Sequence, residues 1–287
     1  MHFQGNSMLK PVRRPALFLL FALIALGVWF GPPWVSRTFF AGSFDFTDLE
    51  EPAGFRHLAG GDVSGGLDPV MGLLGAGIEE AGEAGPAAGI GGMDLCHALF
   101  DDETTGSAGP VVENSADYIL PIAYFSDYRC PYCRILSKRL EALEGARADI
   151  RIRWHEWPIF GEVSETAARA ALAAKRQGAH GEFHHRLMRS SFVPTEGYLR
   201  TVADQAGIDP DRLLADMESA EIERELARTG ALARIFGFRG TPALVVGRTV
   251  VIGAIDDASL EALIDHELAD GPVDACHAGG AGERHLP

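Results

Sequence analysis

Two cysteines, Cys130 and Cys133, stand where a short apolar run gives way to a helical pattern, in the stretch Ile119-Leu120-Pro121-Ile122-Ala123-Tyr124-Phe125-Ser126-Asp127-Tyr128-Arg129-Cys130-Pro131-Tyr132-Cys133-Arg134. The run ending at Phe125 has the length of a strand buried on both faces. Ser126 and Asp127 suit the turn that leaves it. Beyond the motif Ile135, Leu136, Leu140 and Leu143 recur at helical spacing, which puts Cys130 at a helix N-terminus. Unpaired backbone N–H groups and the positive end of the helix dipole favour an anion there. A thiolate at Cys130 is thereby stabilised, while Cys133, one turn further in, is better shielded. An acidic attacking thiol with a shielded partner is the chemistry of disulfide exchange.

Other uses of this spacing fit less well. Structural zinc ordinarily takes four ligands, and the chain has no second C-x-x-C. Haem attachment needs His directly after the second cysteine, where Arg134 stands. A purely structural disulfide across so short a loop would be strained and reducible.

Cysteine redox chemistry persists in oxidising compartments, so the N-terminal region matters. Ala16 to Phe30 reads ALFLLFALIALGVWF, preceded by Lys10, Arg13 and Arg14. With Gly31-Pro32-Pro33-Trp34-Val35 the segment reaches about twenty residues, enough to span a bilayer. No clean small-residue cleavage site follows; Ala41-Gly42-Ser43 is a poor candidate. Residues 16–35 therefore read as an uncleaved signal anchor, with a cleaved signal peptide as the alternative. Residues 1–15 read as a cytoplasmic flank or a vector-derived leader. Either reading puts the rest of the chain outside the cytoplasm. The formal net charge of −15 argues against nucleic acid as a partner.

Residues 36–110 are rich in Gly, Ala and acid, and from Phe44 to Pro110 Arg56 is the only Lys or Arg. Such a stretch buries little and reads as linker with short docked elements, notably around Pro52–Arg56 and Met93–Phe100. The compact domain starts near Val111. After the Cys130 helix, Ile150, Ile152 and Trp154 alternate with Arg151 and Arg153, as in a half-buried strand. A helical block follows: Ser164 caps an Ala-rich helix from Glu165 toward Gln177, Gly181 to Arg189 is a second, and Thr195 caps a third that Gly207 ends. Asp209-Pro210 opens a fourth, and Ala220 to Phe236 forms a fifth. Ala243–Val246 and Thr249–Ile252 then read as a hairpin about Gly247-Arg248. A last helix buries Leu260, Leu263, Ile264 and Leu268. The order is βαβ, an all-helical insert, then ββα. Residues 271–287 form a C-terminal tail, expected to fray from Ala278 onward.

With C-x-x-C on the first strand–helix joint and Gly240-Thr241-Pro242 before the hairpin, the chain resembles the thioredoxin-fold superfamily. The helical insert makes it similar to the DsbA-like thiol:disulfide oxidoreductases of the bacterial periplasm. Phe125-Ser126-Asp127-Tyr128, Pro158-Ile159-Phe160-Gly161 with Ser164, and Gly240 to Gly247 also resemble that family's motifs. The resemblance implies an α/β thioredoxin fold over residues 111–270 with a helical insert over about 164–236. It implies that Cys130 and Cys133 are catalytic, with Pro131 and Tyr132 setting the thiol's acidity. It implies that Pro242 is cis and faces the cysteines. The Thr241 backbone would then orient an extended substrate as a short added strand. The only redox group is the cysteine disulfide, with no separate cofactor and no metal. Partners are unfolded or thiol-containing protein substrates and a membrane reoxidase (DsbB-like), or a DsbD-like reductant in the alternative.

One departure matters. Relatives of this type often carry a buried acid six residues before the first cysteine, and here that residue is Tyr124. Asp127 is expected to cap the turn, and Glu156 to lie in solvent at the end of its strand, with approach to the cysteines as the alternative. Proton movement at Cys133 would then use water or another group. Pro131-Tyr132, the dipeptide glutaredoxins also carry, adds no cation, so Cys130 is expected to titrate between about 3.5 and about 7.

Cys96 and Cys276 lie outside the motif, and in an oxidising compartment such a pair can form a structural disulfide. His97 and His277 follow them, but adjacent residues rarely both ligate one ion. His180 and His184 share a helix face, and His185 follows. With no acid or third ligand evident beside them, they read as partly buried or surface histidines. The expected function is a periplasmic thiol:disulfide oxidoreductase acting as an oxidant. The alternatives are a reductase or isomerase kept reduced, and a module that holds copper with the dithiol.

Overall fold

The computed structural model describes residues 44–59, 95–101 and 118–272. The expectations for the membrane segment at 16–35, for the tail, and for Cys276 and His277 lie outside these residues. Among the described residues no helix is long and apolar enough to cross a membrane. In chain order the elements are β1 (Asp45–Asp48), β2 (Arg56–Ala59), α1 (Leu95–Phe100), β3 (Leu120–Ser126), α2 (Pro131–Ala146), β4 (Ile150–Glu156), α3 (Glu162–Lys175), α4 (His180–Arg189), α5 (Glu196–Gln205), α6 (Pro210–Met217), α7 (Ala220–Ile235), β5 (Ala243–Val246), β6 (Thr249–Ile252) and α8 (Asp257–Asp270).

Strand β3 is the axis, and every one of its residues is buried. It pairs in parallel with β4 through the α2 crossover and antiparallel with β5, in a sheet ordered β1-β2-β6-β5-β3-β4. The two-residue side-chain period sorts β3 between two cores. Leu120, Ile122 and Tyr124 meet Leu136 and Leu140 of α2 and Leu260, Leu263 and Ile264 of α8. Ala123 and Phe125 face the other way, onto Leu99 of α1 and Leu232, Ala233 and Phe236 of the α7 end. Each such leucine contributes about 1.5–3 kcal/mol through burial. The hairpin between β5 and β6 turns at Gly247, whose φ of +55° disfavours a side chain.

Strand β4 is more buried than its alternating pattern suggested. Arg153, expected on the solvent side, is buried, and so is His155. Helices of the insert and α1 cover that face: Arg153 donates to Glu225 of α7 at 3.0 Å, and His155 Nε2 lies 2.8 Å from the Leu99 carbonyl of α1. The His155 ring stacks on Phe125 at 4.5 Å. Burial, aided by the charge of Arg153, pushes the imidazole down to about 3, so it is neutral in the fold. Its folded pKa lies below its unfolded value of about 6.5. As pH falls below that value the unfolded chain takes up a proton the fold refuses. Stability is therefore present near neutrality and falls by about 1.4 kcal/mol per pH unit toward pH 3. Urea unfolding at stepped pH should show this slope, and His155→Asn should flatten it; parallel slopes would remove His155 as the cause.

Three helices of the insert (α3 to α7) start on side-chain caps, two of which, Thr195 and Asp209, were expected from the sequence. Thr195, Asp209 and Ser219 side chains accept from backbone N–H groups of the first turns of α5, α6 and α7. Each such cap is worth about 1 kcal/mol. Helix α4 has Ala179 at its cap position and no side-chain cap, and α3 departs from the expected one. Helix α3 begins at Glu162 with Gly161 (φ 82°) at the cap position, and Ser164 sits inside the helix with its hydroxyl turned toward Asp127.

The Gly- and acid-rich stretch contributes more than linker. β1 and β2 form an antiparallel ribbon, and β2 lies parallel to β6 at Arg56 and His57. Arg56, the only Lys or Arg from Phe44 to Pro110, donates to Thr249 Oγ1 at 2.9 Å, to the buried Glu267 at 2.6 Å and to Asp270 at 3.0 Å. Its guanidinium also lies 3.8 Å from the centre of the Phe46 ring. Helix α1 is the other docked piece, with Ala98, Leu99 and Phe100 buried.

Candidate active site

Cys130 is the N-cap residue of α2, with extended backbone, and Pro131 occupies the first helical turn. Proline suits that place because its missing N–H would have no helical partner. Cys130 Sγ accepts from the Cys133 backbone N–H at 3.2 Å and lies 3.3 Å from the Thr241 carbonyl. The Thr241–Pro242 peptide is cis, as the resemblance implied. Both cysteines are free thiols and both are buried, Cys130 at 2% exposure and Cys133 at 0%. The rim is apolar and open: Tyr132 is 43% exposed and Ile135, which follows the motif, is 55% exposed.

The two sulfurs have opposite acidities. A hydrogen bond from the Cys133 thiol lowers Cys130 to about 7 against the cost of burial, helped by Thr241 and by the N–H groups of Cys133 and Tyr132. Burial, with the neighbouring Cys130, pushes Cys133 well up. The Cys130 value lies at the upper limit of the range expected for it from the sequence. Thiolate absorbance of the reduced protein should therefore show one midpoint near 7 and none for Cys133 at neutral pH. A first midpoint near 8.5 would remove the perturbed thiol.

Asp127 fixes the turn before the cysteines. Its carboxylate, 1% exposed, accepts from the Arg129 N–H at 2.6 Å, the Ile159 and Phe160 N–H groups at 2.7 and 3.2 Å, and the Ser164 hydroxyl at 2.7 Å. The expected turn cap is thus also the joint between the β3 exit, the Pro158 loop and α3. Arg134 adds a clamp, donating to the Tyr128 carbonyl at 3.1 and 3.3 Å.

Beneath the cysteines runs a buried polar chain. Tyr124 donates to the Cys133 carbonyl at 3.2 Å and lies 3.2 Å from Ser137 Oγ. Ser137 Oγ lies 3.3 Å from His184 Nε2, and His184 Nδ1 lies 2.8 Å from the Tyr128 hydroxyl. Tyr128 donates to Glu156 Oε1 at 2.8 Å, which His180 Nε2 also meets at 2.9 Å. The protons can be placed by elimination. A carboxylate only accepts, so the single Tyr128 proton goes to Glu156. His184 Nδ1 then carries the hydrogen that Tyr128 accepts, and the lone pair on His184 Nε2 competes with the Tyr124 oxygen for the single Ser137 hydrogen. Burial alone would raise the Glu156 carboxyl; hydrogen bonds from His180 and His184 outweigh it and bring it to about 2. Burial lowers His180 despite that partner. Burial also raises Tyr124 and Tyr128 well above the ordinary phenol value, so both keep their protons.

This corrects two expectations. Glu156, expected in solvent, is 2% exposed, because α4 folds over the end of β4 and brings His180 and His184 to it. His184 is likewise buried, so the histidines have an acid partner that sequence spacing did not place beside them. Tyr124 takes the place of the absent acid and is hydrogen-bonded below Cys133. Four-residue spacing of His180 and His184 was the available signal; their partners on β4 and in the turn leave no sequence pattern. Cys96 is disulfide-bonded. The expected partner, Cys276, lies outside the described residues.

Comparison with known proteins now bears on this geometry. Residues 121–265 match the family model of the DSBA-like thioredoxin domain. A thioredoxin-like oxidoreductase from Silicibacter pomeroyi DSS-3 is 37% identical over 59% of this chain and 95% of its own, with a TM-score of 0.52. A periplasmic thioredoxin-like protein from Salmonella enterica serovar Typhimurium is 29% identical over 61% of this chain and 96% of its own, with a TM-score of 0.52. The catalytic domain of Proteus mirabilis ScsC is 27% identical over 60% of this chain and 94% of its own, also at 0.52. No curated protein matches the chain in sequence. The matched span runs from the β3 strand through the cis-proline hairpin into the last helix, and so takes in both cysteines: the chain belongs to the DSBA-like thioredoxin domain family and is a thiol:disulfide oxidoreductase.

Proposed function

We propose that the chain oxidises protein dithiols in the periplasm, with Cys130 as the exchanging sulfur and Cys133 as its resolving partner. The observation that carries this is the lowered Cys130 thiol at the helix N-cap. A substrate thiolate attacks Sγ of Cys130 in the Cys130–Cys133 disulfide. The S–S bond breaks, and its electron pair leaves on Cys133, which takes a proton. The substrate's second thiolate then attacks its own sulfur in the mixed disulfide and expels the Cys130 thiolate. The substrate loses two electrons and two protons, and the enzyme becomes a dithiol. Lowering the Cys130 thiol to about 7 stabilises its thiolate, which favours the reduced enzyme and makes the disulfide more oxidising.

Thr241 and Pro242 orient the substrate segment. The Thr241 carbonyl beside Cys130 can accept from an extended chain, and the apolar rim of Tyr132 and Ile135 can hold unfolded sequence. Tyr132 completes the rim beside the exchanging sulfur. Reoxidation falls to a membrane partner of the DsbB-like kind. Residues 16–35 act as the anchor, and Cys96 pairs with Cys276; carbonate extraction of membranes and non-reducing peptide mapping test these two points.

A second reading has a specific observation behind it. A thiol near 7 is also what a thioredoxin-like reductant carries, so the same site could run reduced, fed by a DsbD-like donor. Equilibration with glutathione decides. A potential above about −200 mV supports the oxidant, and one near about −270 mV overturns it in favour of the reductant.

A further inference from the structure

The buried end of the polar chain has a composition that disulfide exchange does not call for. Glu156, His180 and His184 each present a donor atom, and these atoms lie within 4.8 Å of one another. The carboxylate is fully enclosed, and its second oxygen, Oε2, has no hydrogen-bond partner among the described residues. An isolated carboxylate in such surroundings is expensive unless a cation or further donors answer it. Hydrogen bonds from neutral imidazoles and a phenol meet one oxygen and leave the other bare.

We propose that Glu156, His180 and His184 form a binding site for one zinc-class divalent cation, separate from the cysteines. Two imidazoles and one carboxylate are a zinc donor set, and the Tyr128 oxygen, 2.8 Å from both Glu156 Oε1 and His184 Nδ1, stands where a fourth group would be wanted. Imidazole donors select zinc-like metals over magnesium and calcium, which prefer oxygen. The separations also suit it: Glu156 Oε1 is 2.9 Å from His180 Nε2 and 3.5 Å from His184 Nδ1. Ligands about 2.0–2.1 Å from one ion lie at roughly such distances from each other.

Binding requires each facing nitrogen to offer its lone pair, so its hydrogen must move to the other ring nitrogen. For His184 that route is built. The hydrogen moves to Nε2, which then donates to Ser137 Oγ, the kind of outer partner that ligating histidines normally have. No electron is transferred, and the imidazoles stay neutral. The ion would tie α4 of the insert to the Tyr128 turn two residues ahead of Cys130, and its charge would balance Glu156.

The test uses the full chain with the Cys130–Cys133 disulfide formed, so that the dithiol cannot take the metal. Chelator-stripped protein is titrated with Zn²⁺ against a chromophoric competitor, and with Co²⁺ to read the visible spectrum of a four-coordinate nitrogen and oxygen site. One equivalent of Zn²⁺ should bind, with a rise in Tm. His180→Gln and Glu156→Gln, checked for fold by circular dichroism, should each weaken it by more than about tenfold, and His185→Gln should not. The double variant Cys130→Ser with Cys133→Ser, which has no thiol in the motif, should bind Zn²⁺ as before, which separates this site from the exchange chemistry. Wild-type protein that takes up no Zn²⁺ and gives no Co²⁺ spectrum overturns the proposal without any variant. Uptake that survives His180→Gln and Glu156→Gln places the metal elsewhere and overturns it equally.

Discussion

Cys130→Ser brings disulfide exchange with protein substrates down to the uncatalysed background, in both insulin reduction and oxidative refolding of a reduced protein. The fold should survive, because serine also serves at an N-cap and can accept the Cys133 N–H that Cys130 Sγ now takes. What is lost is chemical: oxygen forms no mixed disulfide and leaves Cys133 without a partner. Cys133→Ser should fail differently. The acidic thiol remains but nothing resolves the intermediate, so covalent adducts between Cys130 and substrate accumulate and show on non-reducing gels. Exchange by Cys130→Ser at the wild-type rate would refute the assignment of the exchanging sulfur.

Asp127→Ala should be among the most damaging single changes for stability. The carboxylate is buried and serves donors from its own turn, from the Ile159-Phe160 loop and from α3. Removing it strands N–H and O–H groups with no water to replace it, for which a cost of about 3–5 kcal/mol is expected. Asp127→Asn keeps one acceptor oxygen and should cost less. Urea unfolding of the oxidised proteins measures both, and equal midpoints for wild type and Asp127→Ala would show that the joint is redundant. The change reaches function as well, because the same turn sets the angle at which Cys130 begins α2.

The readable parts of the sequence were those whose physics is local. A thiol at a helix N-terminus, a proline at the first helical position, and Thr195 or Asp209 ahead of an amphipathic run each declare themselves within a few residues. The sheet centre was equally plain, since an unbroken apolar run such as β3 has few other uses. The polar chain was not readable, because Tyr124, Tyr128, Ser137, Glu156 and His184 come from β3, the turn, α2, β4 and α4. Each alone looks like an ordinary polar residue, and only the closure of α4 over β4 gives them a common purpose. Ser164 misled for a related reason: a good capping residue was claimed by a distant acid instead. The β1–β2 ribbon hid because its strands are short and sit in acid- and glycine-rich sequence that offers little apolar alternation.

That ribbon has a consequence for how the molecule is made. Arg56 meets Thr249, a residue 193 positions later, and Glu267, 211 positions later. Synthesis proceeds in one direction, so β1 and β2 emerge long before the strand and helix that hold them. They must wait, with only each other to pair with, while the α2 crossover and the helical insert assemble. Docking of the ribbon is thus a late closing step, and a chain interrupted before β6 would carry two strands with nowhere to settle.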